Sequence, residues 1–197
     1  MAEITTFSER TKASLREALL DAAADLLPEK GYAALRMADV AANAGVSRQT
    51  VYNEFGNKAA LVQAVALRTA SEFLDAIRQR FDNADSLITG IHRAVVFTIE
   101  HARENRLVAA ALGTEAGEDL LPLLTTKGAP ILRAAAELAA EHYRDFEPTL
   151  SEASAALLAE TVVRLSMSHL VLQTHSAAEA ADSVCAVIAP AITRFVK

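Results

Sequence analysis

The chain has 197 residues, enough for one medium domain or two small ones, and 52% of them are hydrophobic although Phe, Tyr and Trp together reach only 5%. The apolar content is therefore Ala, Leu and Val, which is what a helical bundle uses, and the length suffices for a buried core. A formal charge of −6 excludes a nucleic-acid binder that works by bulk positive charge.

Even residues 1–60 carry seven positive side chains against eight acids, so any contact with DNA rests on local arrangement. Cys185 is the single cysteine, which excludes an internal disulfide framework and a multi-cysteine metal site and fits a reducing compartment. Met1 to Arg10 lacks the apolar core of a signal peptide, and no uncharged apolar run reaches about 18 residues. A cytoplasmic protein without a membrane partner is expected.

In chain order, Thr11 or Ser14 caps a first helix with Leu15, Leu19, Ala22, Ala23, Leu26 and Leu27 at helical spacing, and Gly31 stops it. A short helix over Met37 to Ala44 follows, then Gly45, then Ser47 as the cap of another short helix to about Phe55. Gly56 closes that one. A long connector helix over Lys58 to Phe81 carries Leu61, Val65, Phe73, Ile77 and Phe81 on one side. Further helices are predicted over 86–104, 106–112, 126–143, 150–174 and 177–196, with 113–124 as a loop or broken helix. No segment alternates with period two, so the fold class is all-α, with about nine helices.

The segment Met37 to Phe55, MADVAANAGVSRQTVYNEF, is the most informative. Two short helices cross steeply only where the contact is small, the turn accepts a left-handed residue and both inner faces are apolar. Ala41, Gly45 and the set Val40, Val46, Val51 and Phe55 meet those conditions with the spacing of a DNA-binding helix-turn-helix. The outer face of the second helix is then Arg48, Gln49, Tyr52 and Asn53, with Thr50 at its flank. Arg and Gln match guanine and adenine edges in the major groove, and Thr, Tyr and Asn reach phosphate oxygens. Ser47 leaves the helix N-terminus pointing its amides at a phosphate, and Lys58 adds a backbone contact. An ordinary helix pair with a Gly turn is the competing reading, but its exposed face would be richer in Glu and Lys.

The run ALRMADVAANAGVSRQTVYNEFGNKAAL resembles the signature of the TetR family of DNA-binding regulators. Gly45-Val46-Ser47, Thr50-Val51-Tyr52, Phe55, Lys58 and Leu61 carry the match, which covers about residues 12 to 65. The resemblance implies that Thr50, Tyr52 and Lys58 hold phosphates while Arg48 and Gln49 read bases. It also implies a homodimer on a palindromic double-stranded operator, with a DNA-binding domain over 1–60 and a ligand-binding and dimerisation domain over 61–197. Members often have Thr or Ser before the second helix. Arg36 and Met37 stand there in this chain, and Arg36 is read as a direct phosphate donor.

Beyond residue 65 the resemblance is architectural. Leu158, Val162 and Leu165 on one predicted helix, and Val184, Ile188, Ile192 and Phe195 on the last, form stripes expected to pair with a second copy as a four-helix interface. The same stripes would also serve a monomer core. The middle helices are expected to enclose a cavity for a small hydrophobic effector such as a fatty acid, acyl ester or alkane, because their walls are aliphatic with few aromatics and little charge. Val95, Phe97, Ile99, Leu112, Leu124 and Ile131 are the candidate walls, with His101, Glu115 and His169 as polar anchors. An ordinary packed core, with control by a protein partner, is the alternative. The chain has no phosphate-binding Gly loop, no nucleophile elbow and no metal-spaced ligand pair, so neither an enzyme nor a cofactor is expected.

Overall fold

The computed structural model describes residues 7–81, 84–102, 104–113 and 120–196, and all of the regular elements among them are helices. In order they are α1 (Phe7–Ala34), α2 (Met37–Asn43), α3 (Arg48–Phe55), α4 (Lys58–Phe81), α5 (Leu87–Ala102), α6 (Arg106–Gly113), a 3-10 turn at Leu121–Leu123, α7 (Ala129–Phe146), α8 (Glu152–Val171) and α9 (Ala177–Phe195). None of the described helices is long and apolar enough to cross a membrane.

Local signals account for most boundaries. The helical run of α1 is broken at Gly31, whose φ of 68° only glycine adopts at little cost. Gly45 at φ 68° makes the turn between α2 and α3. Ser47, Ser151 and Ser176 each accept a backbone N–H in the first turn of the helix that follows, satisfying donors that have no partner within the helix. At Ser176 the cap is reciprocal, because the Glu179 carboxylate accepts from the Ser176 backbone N–H at 2.9 Å. Helix α1 begins about a turn earlier than Thr11.

Two apolar cores organise the chain. The first joins α1, α2, α3 and the start of α4 through residues such as Leu19, Leu27, Val40, Val51 and Leu61, all fully buried. Burying a side chain of this size stabilises the fold by roughly 1.5–3 kcal/mol. This core does not stop at residue 60, since Leu61, Val62 and Val65 belong to it, as do Ala111 of α6 and Leu120. The second core packs α5, α8 and α9 with Tyr143 of α7, around Ile91, Val95, Leu158, Val162 and Val184. Helix α4 runs from the first to the second, with Ile77 packed against the latter.

Candidate nucleic-acid interface and ligand cavity

Val51 and Phe55 turn one face of α3 into the first core. Because successive residues advance 100° around the helix, Gln49 and Asn53 lie opposite Val51 and Phe55; Arg48, Gln49 and Asn53 are exposed, and Tyr52 is half-buried at the flank, where its ring packs against the first core. The outward side chains are paired along the helix. Arg48 Nη2 donates to Tyr52 Oη at 3.2 Å with its guanidinium 5.1 Å from the Tyr52 ring, and Gln49 Nε2 donates to Asn53 Oδ1 at 2.8 Å. The one acid of α3, Glu54, is turned back against α1, where Arg16 Nη1 donates to it at 2.8 Å and its side chain is only 12% exposed. What remains outward is polar and cationic.

Two details differ from the sequence reading and a third agrees with it. The Ser47 hydroxyl accepts from Thr50 N at 3.1 Å, so that amide of the α3 N-terminus is already capped. Lys58 Nζ donates to the carbonyls of Tyr32 and Ala33, at 2.7 and 3.2 Å, and lies 4.4 Å from the Tyr32 ring. Its ammonium thus sits on carbonyls of the turn that follows the break at Gly31, tying the start of α4 to the end of α1. Arg36 is exposed at the N-cap of α2 and its side chain makes no cap, as the departure from the signature leads one to expect.

Between the cores lies a cavity of about 190 Å³, walled by α4, α5, α6, α7, α8 and the segment around the 3-10 turn. Val95, Leu124 and Ile131 line it as expected. Phe97, Ile99, His101, Leu112 and His169 do not. On α5 the cavity face is Ala94, Val95, Thr98 and Ala102; Phe97 and His101 sit two and six residues on from Val95, about 200° and 240° round the helix. They stack on each other instead, with ring centroids 4.0 Å apart, and Phe97 stacks on Phe73 at 5.2 Å. Ile99 is spent in the second core. Leu112 follows Ala111, which faces the cavity, and so points elsewhere. His169 meets His175 edge-on at 6.0 Å near the end of α8. Glu115 lies outside the described residues.

Sequence reasoning missed much of the wall. It treated α4 as a connector only, yet Phe73, Leu74, Ile77 and Arg78 line the cavity, as do His142 of α7 and Ser166 and Met167 of α8. The stripe of Phe73 and Ile77 was the available signal. The Thr98 and Ser166 hydroxyls donate to the carbonyls four residues back, at 2.7 and 2.8 Å, so both present a mostly aliphatic surface. Tyr143 is fully enclosed, and burial holds its phenol well above the usual range.

The expected dimer stripe also needs correction. Leu158, Val162, Val184 and Ile188 are buried in the chain's own second core, and Leu165, Ile192 and Phe195 pack against it. The outward faces of α8 and α9 carry other apolar residues, with Leu157 58% and Val187 65% exposed beside the exposed Ala153, Ala156, Ala186 and Pro190.

A short helix pair presenting a polar recognition face, followed by a helical domain around an apolar cavity, defines a helix-turn-helix transcription regulator. Residues 19–65 match the family model described as bacterial regulatory proteins, tetR family, and residues 86–190 match that of the bacterial tetracyclin repressor, C-terminal domain. The chain belongs to the TetR family and is a DNA-binding transcription regulator, not an enzyme. It is 34% identical over 190 residues to the HTH-type transcriptional regulator AlkX of Mycobacterium tuberculosis, a match covering 96% of this chain and 88% of that one. Among solved structures, the TetR family repressor AlkX from Dietzia sp., implicated in biodegradation of n-alkanes, superposes with a TM-score of 0.76 at 28% identity over 92% of this chain and 97% of that one. The fatty acid degradation regulator FadR from Bacillus halodurans shares the fold at 17% identity and a TM-score of 0.54, over 88% and 94% of the two chains.

Proposed function

We propose that the protein is a dimeric repressor that leaves a palindromic operator when a small aliphatic effector fills its cavity. The observation that carries the DNA side is the outward face of α3, where Arg48, Gln49, Tyr52 and Asn53 stand without an acid because Glu54 is held by Arg16. In this reading residues 1–60 bind DNA. Arg48 and Gln49 read base edges, while Arg36, Ser47, Thr50, Tyr52 and Asn53 contact the phosphate backbone. Lys58 braces the reading head from α1, its remaining N–H directed to phosphate.

Two recognition helices enter successive major grooves only when two copies set them about 34 to 36 Å apart. The outward faces of α8 and α9 supply the pairing surface, since Leu157, Val187 and the small residues around them are apolar and uncovered in one copy.

Residues 61–197 sense the effector. The cavity wall is aliphatic and the described lining holds no carboxylate, which suits an alkyl chain such as a fatty acid, an acyl ester or an alkane. The AlkX relatives, one implicated in n-alkane biodegradation, support the same class. Release follows from geometry. Helix α4 lines the cavity along Ala66 to Arg78 and grips the end of α1 through Lys58, so an occupant that tilts α4 moves the reading head. A 100-fold loss of operator affinity requires a coupling of roughly 2.7 kcal/mol, within the range found for linked sites.

The test is selection of duplexes from a randomised pool by the full chain, followed by native mass spectrometry of the selected complex. Enrichment of a palindrome bound by two copies is expected, with release on adding an aliphatic compound. Absence of enrichment overturns the DNA reading, and a complex indifferent to every aliphatic compound overturns the effector reading.

A further inference from the structure

The cavity has two unlike ends. At one, Leu107, Ala111, Leu120, Leu123 and Leu124 are aliphatic and touch the first core. At the other, Ile77 and Tyr143 touch the second core, and Arg78 and His142, their neighbours in sequence, join the wall. Arg78 is the one formally charged side chain in the described lining, and it is exposed, which puts it at a mouth.

Four of the other arginines are paired with carboxylates. Arg68 on the same helix lies 2.7 Å from Asp21 and 3.2 Å from Glu17, Arg16 is held by Glu54, Arg106 by Glu29 and Arg164 by Glu160. Arg78 forms no ion pair among the described residues. A guanidinium is a planar fork of N–H donors that fits a carboxylate through two parallel charge-assisted bonds; it gains nothing from a hydrocarbon beyond its stem, and from an ester or alcohol only a weaker bond to a neutral oxygen.

We infer that Arg78 is a head-group site and that the effector is an aliphatic carboxylate, its chain running from Arg78 toward α6. The inference rests on the reading of the cavity as an effector site. It selects one class from those that the wall alone admits, and it separates the acid from the parent alkane, the alcohol and the ester.

The experiment is isothermal titration of the full chain at mildly alkaline pH with dodecanoate, 1-dodecanol and dodecylamine, each below its aggregation concentration. For the wild type, dodecanoate is expected to bind about tenfold more tightly than 1-dodecanol, a single charge-assisted contact at a partly wet mouth. In R78Q that ratio falls to near one. In R78E the order inverts, dodecylamine binding most tightly, a gain that misfolding cannot produce. Equal affinity of the wild type for acid and alcohol, or a preference for acid that survives in R78Q, overturns the head-group site and leaves the cavity reading standing. If none of the three chains binds the wild type, the cavity reading itself fails and the head-group site with it.

Discussion

Arg48 and Gln49 are each braced by a residue one turn further along α3, and in the proposed reading they meet DNA as halves of those two pairs. Arg48→Ala and Gln49→Ala are therefore expected to cost about 1–3 kcal/mol at the selected operator and much less on unrelated DNA, measured by fluorescence anisotropy on both duplexes. A uniform loss would assign these residues to phosphate. At Glu179 the prediction concerns pH. Hydrogen bonds from the Ser176 backbone N–H and hydroxyl hold its carboxyl below the usual range. A carboxyl depressed in the folded state contributes stability in full above its unfolded pKa and loses it as pH falls through the lowered value. Glu179→Gln is thus expected to lower Tm at neutral pH, with the difference from wild type closing in strong acid. The helix-turn-helix residues were legible in sequence because their spacing is local and each neighbour constrains the next. Arg78 and His142 were not, because what makes them notable is which walls of a cavity they join, and that depends on the packing of distant helices.

Helices α8 and α9 each have two apolar faces, and only one can be spent inside the chain. The richer stripe, with Leu158 and Val184, goes into the core, and the leaner one, with Leu157 and Val187, is left outside. Apolar periodicity marks stripes without saying which partner each one meets, so the stripes expected to pair with a second copy are the ones that the chain buries in its own core. The two faces give opposite mutational outcomes. Leu157→Asp together with Val187→Asp is expected to yield a folded monomer by sedimentation, with operator affinity lost. Leu158→Ala is expected to cost about 2–5 kcal/mol in chemical denaturation without shifting the dimer equilibrium by itself. A monomer from Leu158→Ala and an intact dimer from the double variant would reverse the assignment.

The chain as a whole is two cores that share a boundary. Leu120 and Ala111 belong to the first core and also line the cavity, and Leu107, Leu123 and Leu124 pack on that core from the cavity side. Arg106 of α6 reinforces the junction by reaching Glu29 of α1 at 3.2 Å. The proposed split between a reading half and a sensing half comes from the sequence, as a motif followed by aliphatic helices. Their overlap was not, since it joins residues some 80 to 100 positions apart. Leu120→Ala is expected to destabilise the fold by about 2–5 kcal/mol and also to alter how far dodecanoate lowers operator affinity, read from anisotropy titrations with and without the acid. An unchanged effector response would separate the two cores functionally.

That shared wall divides the cavity into surfaces with different freedom to vary. Residues of α7 and α8 such as Leu138, Val163 and Met167 line the cavity and stand apart from the first core, so in the proposed reading they are free to drift with the length and branching of the compound recognised. The wall built from α6 and Leu120 is tied to the packing of the reading head and must stay nearly constant. On that reading, a lineage of such regulators would acquire new chemical tastes from one side of the pocket and inherit the means of letting go of DNA unaltered from the other.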